Sequence, residues 1–163
     1  MACAPSAENT GTNAGVNRPN AAAAQSNAGA NYLQSANAYT TASNSALGNL
    51  KPSVGKTASE IKLWNNKDVG PRLAKLMGAD YARMKKFWNT ETPIERFGDF
   101  LMITGCERNN CEANKYVIFM DMGNSDINVL HVGKDTLKEW KEYREIELPP
   151  PFAKERAALK SRK

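Results

Sequence analysis

The stretch FLMITGCERNNCEANKYVIFMDMGNSDINVLHV, residues 100–132, decides the fold. Three runs rich in apolar and β-branched residues, Phe100–Thr104, Lys115–Met120 and Ile127–Val132, are separated by the Cys106–Cys111 segment and by Gly123-Asn124-Ser125-Asp126. Each break holds turn formers and each run is too short for a helix, so the stretch is predicted to be an antiparallel meander. Ile94–Phe97, closed by Gly98-Asp99, adds a strand before it.

Upstream the apolar period lengthens. Leu73, Leu76 and Met77 recur at helical spacing behind Asp68 and Pro71 and ahead of Gly78, which predicts a helix over 69–77 capped by Asp68. A second helix is expected at once, with Asp80 as its cap and Tyr81, Met84 and Trp88 on one side. These helices are expected to cover one face of the sheet. Downstream, Leu137, Trp140 and Tyr143 recur every three residues, yet the segment 134–145 lies where a strand would close the sheet. A strand near Ile146 is favoured and the rest is open. Pro149-Pro150-Pro151 should stop whatever precedes, and Phe152–Leu159 reads as a short terminal helix. The fold class is α+β: a meander packed with short helices on its N- and C-terminal sides.

The chain has 163 residues and a formal net charge of +5, unevenly laid out. Residues 1–50 hold two charged side chains, Glu8 and Arg18, with 14 Ala and 9 Asn; all three Trp and all five Phe come later. So little apolar surface cannot offset chain entropy of about 1–2 kcal/mol per residue, so residues 1–57 are expected to be a disordered tether and 58–163 the domain. The longest wholly apolar run, Tyr116–Met120, is far short of a transmembrane helix. Met1-Ala2-Cys3 places a cysteine after a small residue at the head of a polar tether, as in a mature bacterial lipoprotein, which makes Cys3 a candidate for acylation. An incidental thiol is the other reading.

Cys106 and Cys111 enclose Glu107, Arg108, Asn109 and Asn110 between two predicted strands. Strand ends joined this way easily reach disulfide separation, and a bridge over so short a loop would mainly hold its residues in one shape. Reduced thiols or half a zinc site are the alternatives, although zinc lacks the remaining ligands here. A disulfide would place the chain in an oxidising compartment.

The run Leu101–Cys111, followed by Tyr116–Asp121 and Ile127–His131, resembles the inhibitor of vertebrate lysozyme (Ivy) family of bacterial periplasmic proteins. The helical opening with Leu63, Trp64, Arg72, Leu73, Leu76, Gly78 and Tyr81 is similar as well, and the resemblance covers roughly residues 61–148. It implies a disulfide-closed loop, Cys-Lys-Pro-His-Asp-Cys in the family, that plugs a lysozyme cleft with its His against the catalytic carboxylates. Cys106 and Cys111 match the framing cysteines; Glu107, Arg108, Asn109 and Asn110 replace all four residues between them. Arg108 and Asn109 would then meet the carboxylates, and Glu107 or Glu112 the basic rim. Steering toward a basic lysozyme would need a local acidic patch, for which Glu107, Glu112 and Asp99 are candidates.

The expected function is thus non-catalytic inhibition of a lysozyme or lytic transglycosylase in the periplasm or at the outer membrane, without metal or cofactor, and with a membrane anchor only if Cys3 is acylated. The alternative is an envelope interaction or structural lipoprotein that keeps the fold without the inhibitory loop. His131 reads as a sheet residue without a triad partner, Asp121 and Asp126 as turn residues, and the three Trp as packing rather than a sugar platform. Arg83, Lys85 and Lys86 form a basic helix side, which is too little for nucleic-acid binding.

Overall fold

The computed structural model describes residues 46–161. The Ala/Asn-rich segment before residue 46 and Cys3 lie outside the described residues. A 3-10 helix (Ala46–Ser53) and a 3-10 turn (Leu63–Asn65) lead into helices α1 (Gly70–Met77) and α2 (Ala79–Phe87). The strands are β1 (Thr90–Glu91), β2 (Glu95–Phe97), β3 (Phe100–Cys106), β4 (Asn114–Asp121), β5 (Asp126–Gly133) and β6 (Leu137–Lys141), and helix α3 (Pro150–Lys160) follows. All pairings are antiparallel in the order β1-β3-β4-β5-β6, with β2 pairing β3 as well. The α+β meander expected from the sequence is the one observed.

Strand alternation divides the interior in two. Leu101 and Ile103 of β3, Ile118 and Met120 of β4, and Ile127 and Val129 of β5 share one sheet face and pack with Leu73, Met77, Met84 and Trp88 of the α1–α2 region. Met102, Val117, Phe119, Leu130 and Val132 take the other face and meet Phe152 and Leu159 of α3. The two opening helices therefore cover one face, as expected, and the terminal helix covers the other. Because β4 and β5 are buried on both sides, their sequences read as nearly unbroken apolar runs.

The packed region reaches N-terminal of residue 58, since Leu47 and Leu50 are buried in the first core. Neither aspartate caps its helix. The position before α1 is Val69, with Pro71 in the first turn, and the position before α2 is Gly78 at φ 57°, a left-handed value that suits glycine. Asp80 instead pairs with Lys138 of β6. The open segment 134–145 contains β6, whereas Ile146 is buried outside any strand, in the core under α3. The prolines do not merely stop the chain: Pro150 and Pro151 start α3, where their missing N–H groups have no helical partner to lose.

Arg72 ties α1 to the end of β6 and to the β4–β5 turn. Its guanidinium donates Nε to Glu142 Oε1 at 2.9 Å and Nη2 to Glu142 Oε2 at 2.5 Å, and Nη2 also reaches the Ser125 carbonyl at 2.6 Å. On the opposite face, Glu139 and Glu145 gather Lys141, Arg156 and Lys160 and lock α3 against β6.

Candidate functional site

The segment between β3 and β4 is closed twice, once covalently and once by hydrogen bonds. A disulfide joins Cys106 to Cys111 with their Cα atoms 4.9 Å apart, so the bridge expected from the spacing is present. Within it the Asn110 N–H donates to the Glu107 carbonyl at 3.0 Å, and Asn109 adopts φ 59°, a left-handed conformation that asparagine tolerates. The Glu107 N–H returns to the Asn114 carbonyl at 3.0 Å, and the Ala113 N–H to the Asn110 carbonyl at 3.0 Å.

Glu107 is structural in this arrangement. Its Oε2 accepts from the side-chain amides of Asn110 and Asn114, both at 2.7 Å, which pins the loop to the start of β4. Arg108 and Asn109 stand exposed at the tip, and neither side chain has a hydrogen bond or ion pair among the described residues. Glu112 is exposed beside them. The acidic patch foreseen from Glu107, Glu112 and Asp99 does not assemble. Asp99 lies at the β2–β3 turn, pairs with Lys51 at 2.9 Å, and is separated from the loop by the whole of β3, about 20 Å of strand.

The root of the loop rests on an aromatic stack that composition alone does not reveal. The indole of Trp88 lies over Gly105, where a Cβ would fall 2.1 Å from Trp88 Cε2, and Trp64 meets Trp88 edge-on at 5.0 Å. The Asn89 N–H donates to the Cys106 carbonyl at 3.0 Å, and Thr90 of β1 pairs with Cys106. Hence the end of α2 buttresses the base of the loop. A glycine directly before Cys106 inside an apolar strand was the available sign of such close approach. On its other side the loop borders a cleft of about 450 Å³ lined by Asn110, Glu112, Ala113, Val132, Gly133 and Lys134.

The remaining candidates have local explanations. His131 is 7% exposed, sits in β5 and stacks on Tyr116 at 4.3 Å, and burial, aided by Arg83, pushes its pKa down. Asp121 and Asp126 face each other across the β4–β5 turn. Asp121 accepts from Asn124 N at 2.9 Å and Asn124 Nδ2 at 2.7 Å, and Asp126 from Ile127 N at 2.8 Å, so both serve the turn; burial raises the Asp126 pKa. Trp88 is core and Trp64 packs against it. Among the described residues no group of three or more His, Cys, Asp or Glu could hold a metal ion, and no helix is long and apolar enough to cross a membrane.

What the site can do chemically is bind. It offers a pre-shaped projection bearing one free guanidinium and one free amide, with little ordering entropy left to lose on contact. Residues 68–162 match the family described as inhibitor of vertebrate lysozyme (Ivy). No curated protein and no solved structure matches the chain.

Proposed function

Since the chain belongs to the inhibitor of vertebrate lysozyme family, we propose that it inhibits a lysozyme or a related peptidoglycan-cleaving glycosidase by inserting the Cys106–Cys111 loop into the enzyme's cleft. The observation that carries this reading is the doubly closed loop with Arg108 and Asn109 exposed at its tip. A glycosidase cleft presents two carboxylates about 5–9 Å apart. A guanidinium can fork onto either of them with charge-assisted hydrogen bonds, roughly twice as strong as those of a neutral amide. Arg108 is therefore the main contact and Asn109 the secondary one. Glu107 holds the loop from within, which leaves Glu112 to meet the target's rim. The disulfide fits an oxidising extracytoplasmic compartment, the periplasm or the outer-membrane surface, where an acylated Cys3 would tether the domain.

The full chain should be titrated into a c-type lysozyme, a g-type lysozyme and a lytic transglycosylase. At least one enzyme should slow at micromolar inhibitor, and Arg108→Ala should weaken the effect by about 10-fold or more while leaving the urea midpoint unchanged. Full inhibition by Arg108→Ala would refute the assigned contact. The replacement of all four residues between the cysteines favours one second reading, an envelope protein that keeps the fold and binds wall polymer. Binding to purified sacculi that survives both Arg108→Ala and Asn109→Ala, with no enzyme inhibited, would establish that reading instead.

A further inference from the structure

Charge is sorted by structural layer. Residues 91–147, which supply the sheet, hold twelve carboxylates against seven cations, whereas residues 61–90, which supply α1 and α2, hold seven cations against two carboxylates. Leu73, Met77, Met84 and Trp88 face the first core, so the opposite sides of α1 and α2 look away from the sheet into solvent, with Arg83 at the margin, near enough to β5 to act on His131. Lys75, Arg83, Lys85 and Lys86 are exposed on these helices, with Lys62 and Lys67 exposed just before them.

None of those six cations enters an ion pair among the described residues. The contrast with the α3 side is sharp, because there Lys141, Arg156 and Lys160 are all answered by Glu139 or Glu145. On the α1–α2 side the carboxylate of Asp80 is already committed to Lys138. The half-buried rings of Phe87 and Tyr81 lie beneath the cations: Arg83 is 5.6 Å and Lys86 5.9 Å from the Phe87 centroid, and Lys85 Nζ is 4.5 Å from that of Tyr81. Unanswered cations beside an amphipathic tyrosine and an apolar ring are a composition suited to the headgroup level.

We infer that the outward side of α1 and α2 is a docking surface for a bilayer rich in anionic phospholipid. The cations are spread over two helices and the segment before them rather than lined along a groove. They match a plane of phosphates better than a linear polyanion, and the aromatics beneath them are not free to stack on bases. The inference does not rest on the inhibitory role of the loop. The two are compatible, because the loop joins the ends of β3 and β4 whereas the cations lie on α1, α2 and the segment before them.

The full-length, non-acylated chain should be tested by co-sedimentation with phosphatidylglycerol–phosphatidylethanolamine vesicles and with phosphatidylcholine vesicles. Binding to the anionic vesicles alone is expected, weakening steeply as salt rises. With each cation near such a surface worth about fivefold in affinity, Arg83→Glu with Lys86→Glu should lose about 25-fold or more. Lys56→Glu with Lys154→Glu makes the same change in net charge at exposed positions elsewhere and should lose less than about threefold. Lys75→Gln with Lys86→Gln, which removes two cations without reversing them, should lose about 25-fold and so less than the double reversal, and unchanged circular dichroism checks each fold. The inference is overturned by equal losses in the first two variants, by equal binding to phosphatidylcholine, by no binding to anionic vesicles at low salt, or by heparin or duplex DNA binding more tightly than the vesicles.

Discussion

Gly105→Ala tests how the loop is held. The new Cβ would stand 2.1 Å from Trp88 Cε2 and 2.3 Å from Trp88 Cδ2, against an optimal carbon–carbon separation of about 3.5–4.0 Å. Either the indole or β3 must therefore move by about 1.5 Å. Trp88 is buried and braced edge-on by Trp64, and β3 is paired on both sides, so neither yields freely. Overpacking of this kind costs about 1–3 kcal/mol. Urea unfolding of the full chain should show that loss as a lower midpoint at unchanged slope. The cause is separable from any general intolerance of β3, because removing the indole removes the clash. Trp88→Ala alone should cost about 3–5 kcal/mol, and Gly105→Ala added to it should cost nothing, or gain up to about 1 kcal/mol because alanine suits a strand interior better than glycine. Milder Trp88→Leu serves if the alanine variant is too unstable to measure. An equal penalty for Gly105→Ala with and without the indole would refute the reasoning.

Three further outcomes follow from the geometry. Cys106→Ser with Cys111→Ser should lower stability by about 2 kcal/mol, the loop-closure entropy of so short a ring, while amide exchange rises at Arg108 and Asn109; unchanged exchange there would show that the Glu107 hydrogen bonds suffice. Arg72→Ala should cost about 2–3 kcal/mol because it strands the partly buried Glu142, and Arg72→Met with Glu142→Leu should cost less than the sum of the single changes; strict additivity in urea melts would contradict a direct pair. The folded-state pKa of His131 lies below its ordinary 6.5, through burial first, with Arg83 and Lys138 adding to the shift and Asp80 opposing it. Between those two values the unfolded chain binds more protons, so the His131 contribution is present above 6.5 and is lost as pH falls toward the folded value. His131→Gln should flatten the stability profile in that window, as read by thermal melts across pH, and an unaltered slope would show that another group is responsible.

How much was legible follows from what each segment buries. The central strands announce themselves because both of their faces are covered, and Cys106 and Cys111 place the loop between them. Strand β6 was ambiguous for a physical reason. Leu137 and Trp140 are three apart, which puts them on opposite sides of a strand, and they indeed serve the two different cores. Tyr143, the third member of that apparent helical series, is 77% exposed and belongs to neither. Thr90–Glu91 carries no apolar signal at all, because β1 exists only through its pairing with β3 at the root of the loop. Leu47 and Leu50 were likewise hidden, two leucines amid small polar residues whose value depends on a core built by residues far along the chain.

By itself, then, the sequence determined the meander, the helices before and after it, and the chemistry carried between the two cysteines, since each of these rests on local periodicity, turn residues or residue type. Only the tertiary structure decided that helices cover both sheet faces, that Trp88 lies on Gly105 beneath the loop, and that Leu47 and Leu50 join the first core. Those outcomes depend on which residues distant in the chain come to share a surface, and the pairing register and the two separate cores set that, not the spacing along the chain.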